Sequence, residues 1–325
     1  MTLLAQENAD LILAGDIRAA ARLMRQVDDN EPEAVEVLKR LHAHTGRAWV
    51  LGFTGSPGVG KSTLTDQVIV AYRTQGKSVG VVAVDPTSPF TGGAILGDRI
   101  RMQRHATDEG VFIRSLATRG QFGGLAASTC GVATVMDAMG KELILVETVG
   151  VGQDEVDIVR MADTTVIIVV PGLGDDIQAI KAGILEAGDI FVVNKMDREG
   201  ASRTTAELQT MIAMRSRNVN SDQPWTPPVI MTCASDGRGV EELITAVAGH
   251  RGVLMAEDGR LLLERRRERA RMELLELIKH RAMRLLIERL EGGQRLDLMA
   301  GQIASRERDP YSVVEEILAS ASFKN

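Results

Sequence analysis

The stretch that decides the fold is Gly55-Ser56-Pro57-Gly58-Val59-Gly60-Lys61-Ser62, which fits the pattern G-x-x-x-x-G-K-S/T. A strand-like apolar run precedes it, and a segment of helical pattern follows it. In this motif the glycines allow successive backbone N–H groups to curl around phosphate oxygens, the lysine reaches the β- and γ-phosphates, and the serine hydroxyl binds Mg²⁺. The stretch therefore predicts a P-loop whose nucleotide contacts are Gly55, Gly58, Val59, Gly60, Lys61, Ser62 and Thr63.

Strand and helix signals alternate around this loop. Six short runs are rich in Val and Ile without polar alternation, which is typical of strands buried on both faces; they are Trp49–Phe53, Val79–Val84, Leu143–Val146, Thr165–Val170, Ile190–Val193 and Val229–Met231. Helical segments lie between several of them, notably Ser62–Thr74, Asp154–Met161 and Asp176–Ala187. The pattern predicts an α/β fold of the P-loop NTPase type, with a doubly wound, mostly parallel sheet.

The two ends of the chain differ from this middle zone and predict helical extensions on both sides of it. Residues 1–46 are helical in pattern and nearly free of glycine, and residues 251–325 are helical and heavily charged. We therefore expect an N-terminal helical extension (1–46), a P-loop domain (47–250) and a C-terminal arm (251–325). Within the arm, a 3-4-3 apolar spacing fits either a helix packed on its own domain or a dimerisation seam, formed by Leu275, Ile278, Ala282 and Leu285.

Composition and charge disfavour several classes of protein. The 325 residues include 38 Lys and Arg against 44 Asp and Glu, and only 3% are aromatic, so we expect no nucleic-acid binding. The basic run at 265–271 is diluted by glutamate. No apolar stretch of about 18 residues and no signal-peptide pattern occur, so we expect a cytoplasmic protein without a membrane span. Two distant cysteines and five scattered histidines predict neither a disulfide framework nor a transition-metal site.

A second motif, Asn194-Lys195-Met196-Asp197, follows the run Ile190–Val193 about 130 residues after the P-loop. A carboxylate at Asp197 can accept from both the ring N–H and the exocyclic amino group of guanine, a donor pair that adenine lacks. N-K-x-D in this position predicts a guanine-reading loop. Cys233 and Ala234 follow another strand-like run, where the Ala234 N–H fits the guanine carbonyl oxygen or the segment is an ordinary strand-end turn.

A glutamate follows the run Leu143–Val146, and a glycine follows three residues later. Most GTPases have D-x-x-G here, with the acid reaching Mg²⁺ through water and the glycine N–H reaching the γ-phosphate. We therefore expect Glu147 and Gly150 to act with Lys61 in catalysis. Val151 stands where many small GTPases carry a water-orienting glutamine, which predicts slow intrinsic hydrolysis that a partner stimulates.

Two further acids belong to the same side of the predicted sheet. Asp85 follows the run Val79–Val84, and Asp98 lies in the glycine-containing stretch after it. Because Mg²⁺ keeps several waters and takes few carboxylates, both acids suit a magnesium site together with Ser62 and Glu147. A turn-forming role for Asp85 and a plain surface position for Asp98 are the alternatives.

The longer motifs together resemble those of the methylmalonyl-CoA mutase-associated GTPases of the MeaB/ArgK type. They are GSPGVGKST, AVDPTSPFTGGAILGDRIRM, ETVGVGQDEVDIVRMAD and PGLGDDIQAIKAGILEAGDIFVVNKMD. The resemblance covers nearly the whole chain. It implies a GTP-hydrolysing metallochaperone that gates cofactor loading of the adenosylcobalamin-dependent mutase and protects that enzyme from inactivation.

The resemblance also implies ligands, partners and further site residues. It implies Mg²⁺ with bound GTP or GDP, a homodimer formed through the C-terminal arm, and the mutase and a cobalamin adenosyltransferase as partners. A loop with Asp175, Gln178 and Lys181 resembles a switch that couples the nucleotide state to the mutase. Cys233 departs from the family, since serine is common at that position.

Two other functions stay open from the sequence alone. One is a kinase or ATPase linked to basic amino-acid transport, for which the sequence has no recognisable acceptor site. The other is a metal-insertion GTPase that delivers nickel. That function calls for Cys or His ligands near the P-loop or a His-rich tail, and the sequence has neither.

Overall fold

Seven strands form one parallel sheet in the described part of the chain. The computed structural model describes residues 3–85, 102–117, 124–148, 161–172, 187–218, 224–291 and 295–320. The strand order is β3-β2-β4-β1-β5-β6-β7, and every pairing between neighbours is parallel. The strands are β1 (Trp49–Thr54), β2 (Val79–Asp85), β3 (Val111–Ala117), β4 (Leu143–Glu147), β5 (Thr164–Val169), β6 (Ile190–Val193) and β7 (Val229–Met231).

Helices lie before, between and after these strands. Numbered in chain order over the described residues, they are α1 (Leu3–Leu13), α2 (Ile17–Asp28), α3 (Pro32–Leu41), α4 (Lys61–Thr74), α5 (Gly124–Ala138), α6 (Ala201–Asn218), α7 (Val240–Glu291), α8 (Arg295–Ala304) and α9 (Pro310–Ser320). Short 3₁₀ turns occupy His42–His44 and Gln103–His105. The long α7 is interrupted at 256–259, where Glu257, Asp258 and Gly259 have positive φ angles.

Both faces of the sheet are covered by helices, as the unbroken Val and Ile runs predict. On one face, α1 to α3 and α5 share a core with the sheet that includes Leu23, Met24, Met136, Val82 and Val146. On the other face, α4 and the first part of α7 share a core that includes Leu64, Val68, Leu243, Leu51 and Val81. Because all strands are parallel, their carboxyl ends meet at one edge, where the functional loops begin.

The predicted fold class is confirmed, and so are the six predicted strands. Strand β3 was not predicted, because Arg114 and Ser115 interrupt its apolar pattern. The predicted helix at 62–74 is confirmed as α4. The predicted helices at 154–161 and 176–187 lie outside the described residues except for their last residues, Met161 and Ala187.

The chain divides into two compact units, Met1–Arg269 and Ala270–Asn325. The second unit has a small core in which Leu290, Met299 and Val313 are buried. The three-part division at residues 46 and 250 stays a prediction. None of the helices in the described ranges has the length and apolar character needed to cross a membrane.

Candidate nucleotide-binding site

The P-loop joins the end of β1 to the start of α4, and its backbone conformation depends on glycine at two positions. Gly55 has a φ of +147°, and a Cβ atom there would lie 2.1 Å from the carbonyl oxygen of Ile168 in β5. Gly60 has a φ of +95°, and a Cβ atom there would lie 2.6 Å from Nδ2 of Asn194. The loop therefore packs so closely on its neighbours that larger residues do not fit.

Lys61 and Ser62 open α4, where the positive end of the helix dipole favours an anion. Both side chains are buried. The Lys61 ammonium donates to the carbonyl oxygens of Gly55, over 2.7 Å, and Ser56, over 3.1 Å. The P-loop thus holds the Lys61 ammonium against its own carbonyl oxygens.

Glu147 and Ser62 meet at the carboxyl edge of the sheet. The Ser62 hydroxyl donates to Oε1 of Glu147 over 2.5 Å, and the glutamate is buried at the end of β4. Strand pairing causes this meeting, since Phe53 of β1 stands opposite Glu147 just before the P-loop. A hydroxyl and a carboxylate oxygen are hard ligands of the kind that Mg²⁺ takes, so the pair fits part of a magnesium site.

Asn194 binds the N-K-x-D loop to the P-loop. Its side chain is 2% exposed, and Nδ2 donates to the Val59 carbonyl oxygen over 2.8 Å. Its Oδ1 accepts from the Thr232 hydroxyl over 3.0 Å and from the Ala234 N–H over 3.1 Å. One buried amide thereby holds together three loops that are far apart in sequence.

Asp197 and Lys195 lie at the rim of this site. The Lys195 ammonium donates to the Gly58 carbonyl oxygen over 2.7 Å, so its aliphatic stem extends over the P-loop. Asp197 is exposed, and its Oδ1 accepts from the buried Cys233 thiol over 3.3 Å. The thiol also lies 3.2 Å from the Ser235 hydroxyl. An exposed carboxylate that a buried thiol holds in place is suited to accept hydrogen bonds from a base.

Several predicted site residues fall in or next to the gaps between the described ranges. Gly150, Asp98, Asp175, Gln178 and Lys181 lie outside the described residues. The backbone of Asp85 ends β2, two strands from the P-loop strand β1, while its side chain is outside the described part. The roles of these residues stay predictions.

Sequence reasoning missed the contacts of Thr232 and Ser235. Thr232 donates to Asn194, and Ser235 faces the thiol beside Asp197. Both residues flank the Cys233-Ala234 pair that the sequence did single out. The sequence signal for these contacts is the short polar residue on each side of Cys233-Ala234.

Comparison with known proteins decides the family. A family model described as "Methylmalonyl Co-A mutase-associated GTPase MeaB" matches residues 20–291, which is most of the chain. The chain belongs to the MeaB family of GTPases. A Pyrococcus abyssi relative is 48% identical over 304 residues, 94% of this chain and 93% of its own. GTPase ArgK of Escherichia coli is 34% identical over 253 residues, 76% of each chain.

A solved structure agrees with the fold of this MeaB-family chain. The crystal structure of an LAO/AO transport system kinase has a TM-score of 0.70 and covers 98% of both chains. Its identity of 22% means that this likeness shows the fold alone. The P-loop, Glu147 and the loop from Asn194 to Asp197 all lie within the residues that match the MeaB model.

Proposed function

We propose that this MeaB-family protein binds GTP with Mg²⁺ and hydrolyses it to GDP and phosphate as a metallochaperone of adenosylcobalamin-dependent methylmalonyl-CoA mutase. In this role it gates cofactor loading and protects the mutase from inactivation. The observation that carries the nucleotide assignment is the bond from Asn194 to Val59, which joins an N-K-x-D loop directly to a P-loop. The mutase assignment is supported by the description of the family to which the chain belongs.

The proposed reaction is attack of water on the γ-phosphorus, with cleavage of the bond to the oxygen that bridges the β- and γ-phosphates. Lys61 leaves the carbonyl oxygens that it contacts and neutralises phosphate oxygens. Ser62 and Glu147 would hold Mg²⁺, which when bound would supply positive charge beside the phosphate oxygens. Gly150 completes the catalytic set with Lys61 and Glu147 as a backbone donor to the γ-phosphate.

Guanine selection follows from the exposed carboxylate of Asp197. It accepts two donors from guanine, while adenine would leave the carboxylate without them. The Ala234 N–H, which the sequence matched to the guanine carbonyl oxygen, donates to Oδ1 of Asn194, so it reaches the base only by leaving or sharing that bond. Asp197 is already positioned by the Cys233 thiol, which lowers the ordering cost of guanine binding.

The proposed assembly is a homodimer that works with the mutase and a cobalamin adenosyltransferase. On α7 the predicted seam residues Leu275, Ile278 and Leu285 are exposed in the chain, with Ile278 54% exposed. A row of exposed large apolar residues favours association. Both cysteines carry reduced thiols, which supports the cytoplasm as the compartment. The switch role of Asp175, Gln178 and Lys181 belongs to the same proposal.

Nucleotide binding is tested by calorimetry with GDP, GTP, ATP and xanthine nucleotides on the purified protein. We expect guanine preference in the wild type and a shift toward xanthine nucleotide in Asp197→Asn. The control Glu199→Gln, which removes a nearby exposed charge, keeps the wild-type preference. A wild type that prefers ATP would overturn the guanine assignment and favour the kinase or ATPase alternative.

The catalytic and partner roles need two further measurements. Lys61→Ala is expected to lose GTP turnover, and turnover at the native rate would remove the lysine from the mechanism. Adding the mutase is expected to raise GTP turnover, and the two proteins should co-purify differently with GDP and with a non-hydrolysable GTP analogue. No effect in either mutase experiment would remove the mutase from the proposed function.

Homodimer formation is tested by sedimentation of the intact protein. Ile278→Glu places a charge in the middle of the exposed seam and is expected to give monomers. Glu273→Gln, an exposed change on the same helix, is expected to sediment as the wild type does. A monomeric wild type would contradict the dimer proposal.

A further inference from the structure

Three arginines of α7 contact two aspartates at the edge of the sheet opposite the nucleotide site. The arginines are Arg265, Arg266 and Arg269, and the aspartates are Asp163 and Asp189. Asp163 directly precedes β5, and Asp189 directly precedes β6. We call these five residues the arginine joint. The basic run at 265–271 is therefore largely engaged within the chain itself.

Asp189 is held by a two-pronged contact. Arg265 donates to its two carboxylate oxygens over 3.0 and 2.6 Å, a geometry that fixes both partners. The Thr165 N–H donates to the same carboxylate over 2.7 Å, and His250 lies 3.4 Å from it. The amino ends of β5 and β6 are thereby bound to one carboxylate, and that carboxylate is bound to α7.

Asp163 binds the amino end of β1 to α7 in the same way, and it is only 1% exposed. Its carboxylate accepts the Val50 N–H over 3.0 Å, so Asp163 is bound to the second residue of β1. Arg266 and Arg269 both reach its Oδ1 over 3.3 Å. Arg266 also donates to the Gly46 carbonyl oxygen, just before β1, over 2.7 Å. A buried carboxylate of this kind requires its cationic partners.

The three strands held in this way carry the nucleotide site at their other ends. β1 leads into the P-loop, and β6 leads into Asn194. β5 lies between them, where its Ile168 carbonyl oxygen faces Gly55 and its Val169 carbonyl oxygen accepts the Asn194 N–H over 2.8 Å. Strands of this length span roughly 13–20 Å at 3.3 Å per residue, so each is a short, stiff link.

The joint also marks a boundary in the chain. The first compact unit ends at Arg269, the last arginine of the joint, and α7 continues from there into residues 270–325. The joint thus lies directly before the point in the sequence where the second unit begins.

We propose that the arginine joint couples nucleotide occupancy to the strength of the contacts that Asp163 and Asp189 make with α7. Nucleotide bound at the carboxyl ends of β1, β5 and β6 orders these strands and tightens the joint at their amino ends. By reciprocity, a weakened joint lowers nucleotide affinity by the same factor. This inference rests on the proposed nucleotide binding and adds to it a link to the C-terminal residues.

Different results are expected if the arginine joint serves only as structural support. It would lower thermal stability when broken, leave the nucleotide Kd unchanged, and give no response when nucleotide binds. The tryptophans allow this response to be measured, because the two in the chain both lie at the joint. The Trp49 indole N–H donates to the Thr164 hydroxyl over 3.1 Å, and the Trp225 ring centroid is 5.1 Å from that of His250.

The test uses the intact protein with GDP and Mg²⁺ as the probe, and it compares the wild type with Arg265→Gln and Arg267→Gln. Arg267 is exposed on the same helix, so its variant removes an equal charge outside the joint. We expect GDP to change tryptophan emission of the wild type and to slow hydrogen exchange over residues 260–269. We expect Arg265→Gln to bind GDP about fivefold or more weakly, the lower end of ordinary coupling, and Arg267→Gln to match the wild type.

The outcomes separate this inference from the proposed function. Equal Kd values in all three proteins, or a GDP-saturated wild type with unchanged emission and exchange, would overturn the coupling alone. A wild type that binds no guanine nucleotide would overturn the proposed function and the coupling with it. If Arg265→Gln does not fold, Arg265→Lys keeps the charge but loses the two-pronged contact, and the wild-type emission and exchange decide independently of either variant.

Discussion

The side-chain amide of Asn194 donates to the carbonyl oxygen of Val59 over 2.8 Å, so the N-K-x-D loop is hydrogen-bonded to the P-loop. One buried residue thereby fixes these two loops relative to each other. Since Asn194 also accepts from Thr232 and Ala234, its loss would leave several buried polar groups without a partner.

Asn194→Ala is therefore expected to lower both stability and nucleotide affinity. Each buried group left unsatisfied costs about 1–3 kcal/mol, so we expect the free energy of unfolding to fall by at least that amount. Thr232→Val is the matched control, because it removes one of the three partners and should have the smaller effect. Urea unfolding and GDP calorimetry give both quantities, and equal effects of the two variants would contradict the central role of Asn194.

Gly60→Ala is expected to weaken nucleotide binding more than an alanine at another glycine with positive φ does. An alanine at Gly60 takes on a left-handed backbone, at about 1–2 kcal/mol, and also meets Asn194 Nδ2 at 2.6 Å. Gly76→Ala is the control, since Gly76 has a φ of +77° with nothing within 4 Å of the added Cβ. Gly60→Ala should therefore lose GDP binding, while Gly76→Ala loses only stability. Wild-type GDP affinity in Gly60→Ala would contradict the tight fit.

Cys233 is expected to support guanine binding through its contact with Asp197. Cys233→Ala removes the hydrogen bond to Asp197, and a hydrogen bond contributes about 0.5–1.5 kcal/mol of free energy. The variant should therefore bind GDP roughly two- to tenfold more weakly. Cys233→Ser restores a hydroxyl donor and should bind nearly as the wild type does. Cys130→Ala serves as a control for loss of a thiol outside the site, because Cys130 packs against the core around α5. Unchanged affinity in Cys233→Ala would show that Asp197 needs no such support.

Much of the fold and part of the site could be predicted because they depend on local patterns. Runs of Val and Ile identify buried strands, and parallel strands bring their carboxyl ends to one edge, which is why Glu147 meets Ser62 and Asn194 meets Val59. Strand β3 escaped prediction because Arg114 and Ser115 break its pattern. Local pattern is thus sufficient where burial is uniform along an element.

The arginine joint could not be predicted from the sequence. Arg265 is 76 residues from Asp189, and Arg266 is 103 residues from Asp163, so no local spacing connects them. The charge pattern at 265–271 indicates only a solvated basic run. Which acid each arginine meets depends on the strand order and on the interruption of α7 at 256–259, where Glu257 and Asp258 adopt positive φ angles without being glycine.

His250 is expected to make stability depend on pH below neutrality. Burial lowers the pKa of this histidine below its usual value of about 6.5, although Asp189 and Asp163 raise it; Arg265 adds to the lowering. The unfolded chain therefore takes up a proton at a higher pH than the folded chain does. The stabilising contribution is full above about pH 6.5 and is lost as the pH falls through the lowered pKa.

His250→Asn cannot take up this proton, so its unfolding temperature should fall less between pH 7 and pH 5 than that of the wild type. The variant is expected to be less stable at pH 7, because it loses the ring contact with Trp225. His44→Asn, at an exposed histidine, is the control and should follow the wild-type pH profile. Thermal unfolding followed by circular dichroism at several pH values measures all three proteins. Parallel profiles for His250→Asn and the wild type would contradict a buried, neutral His250 in the folded state.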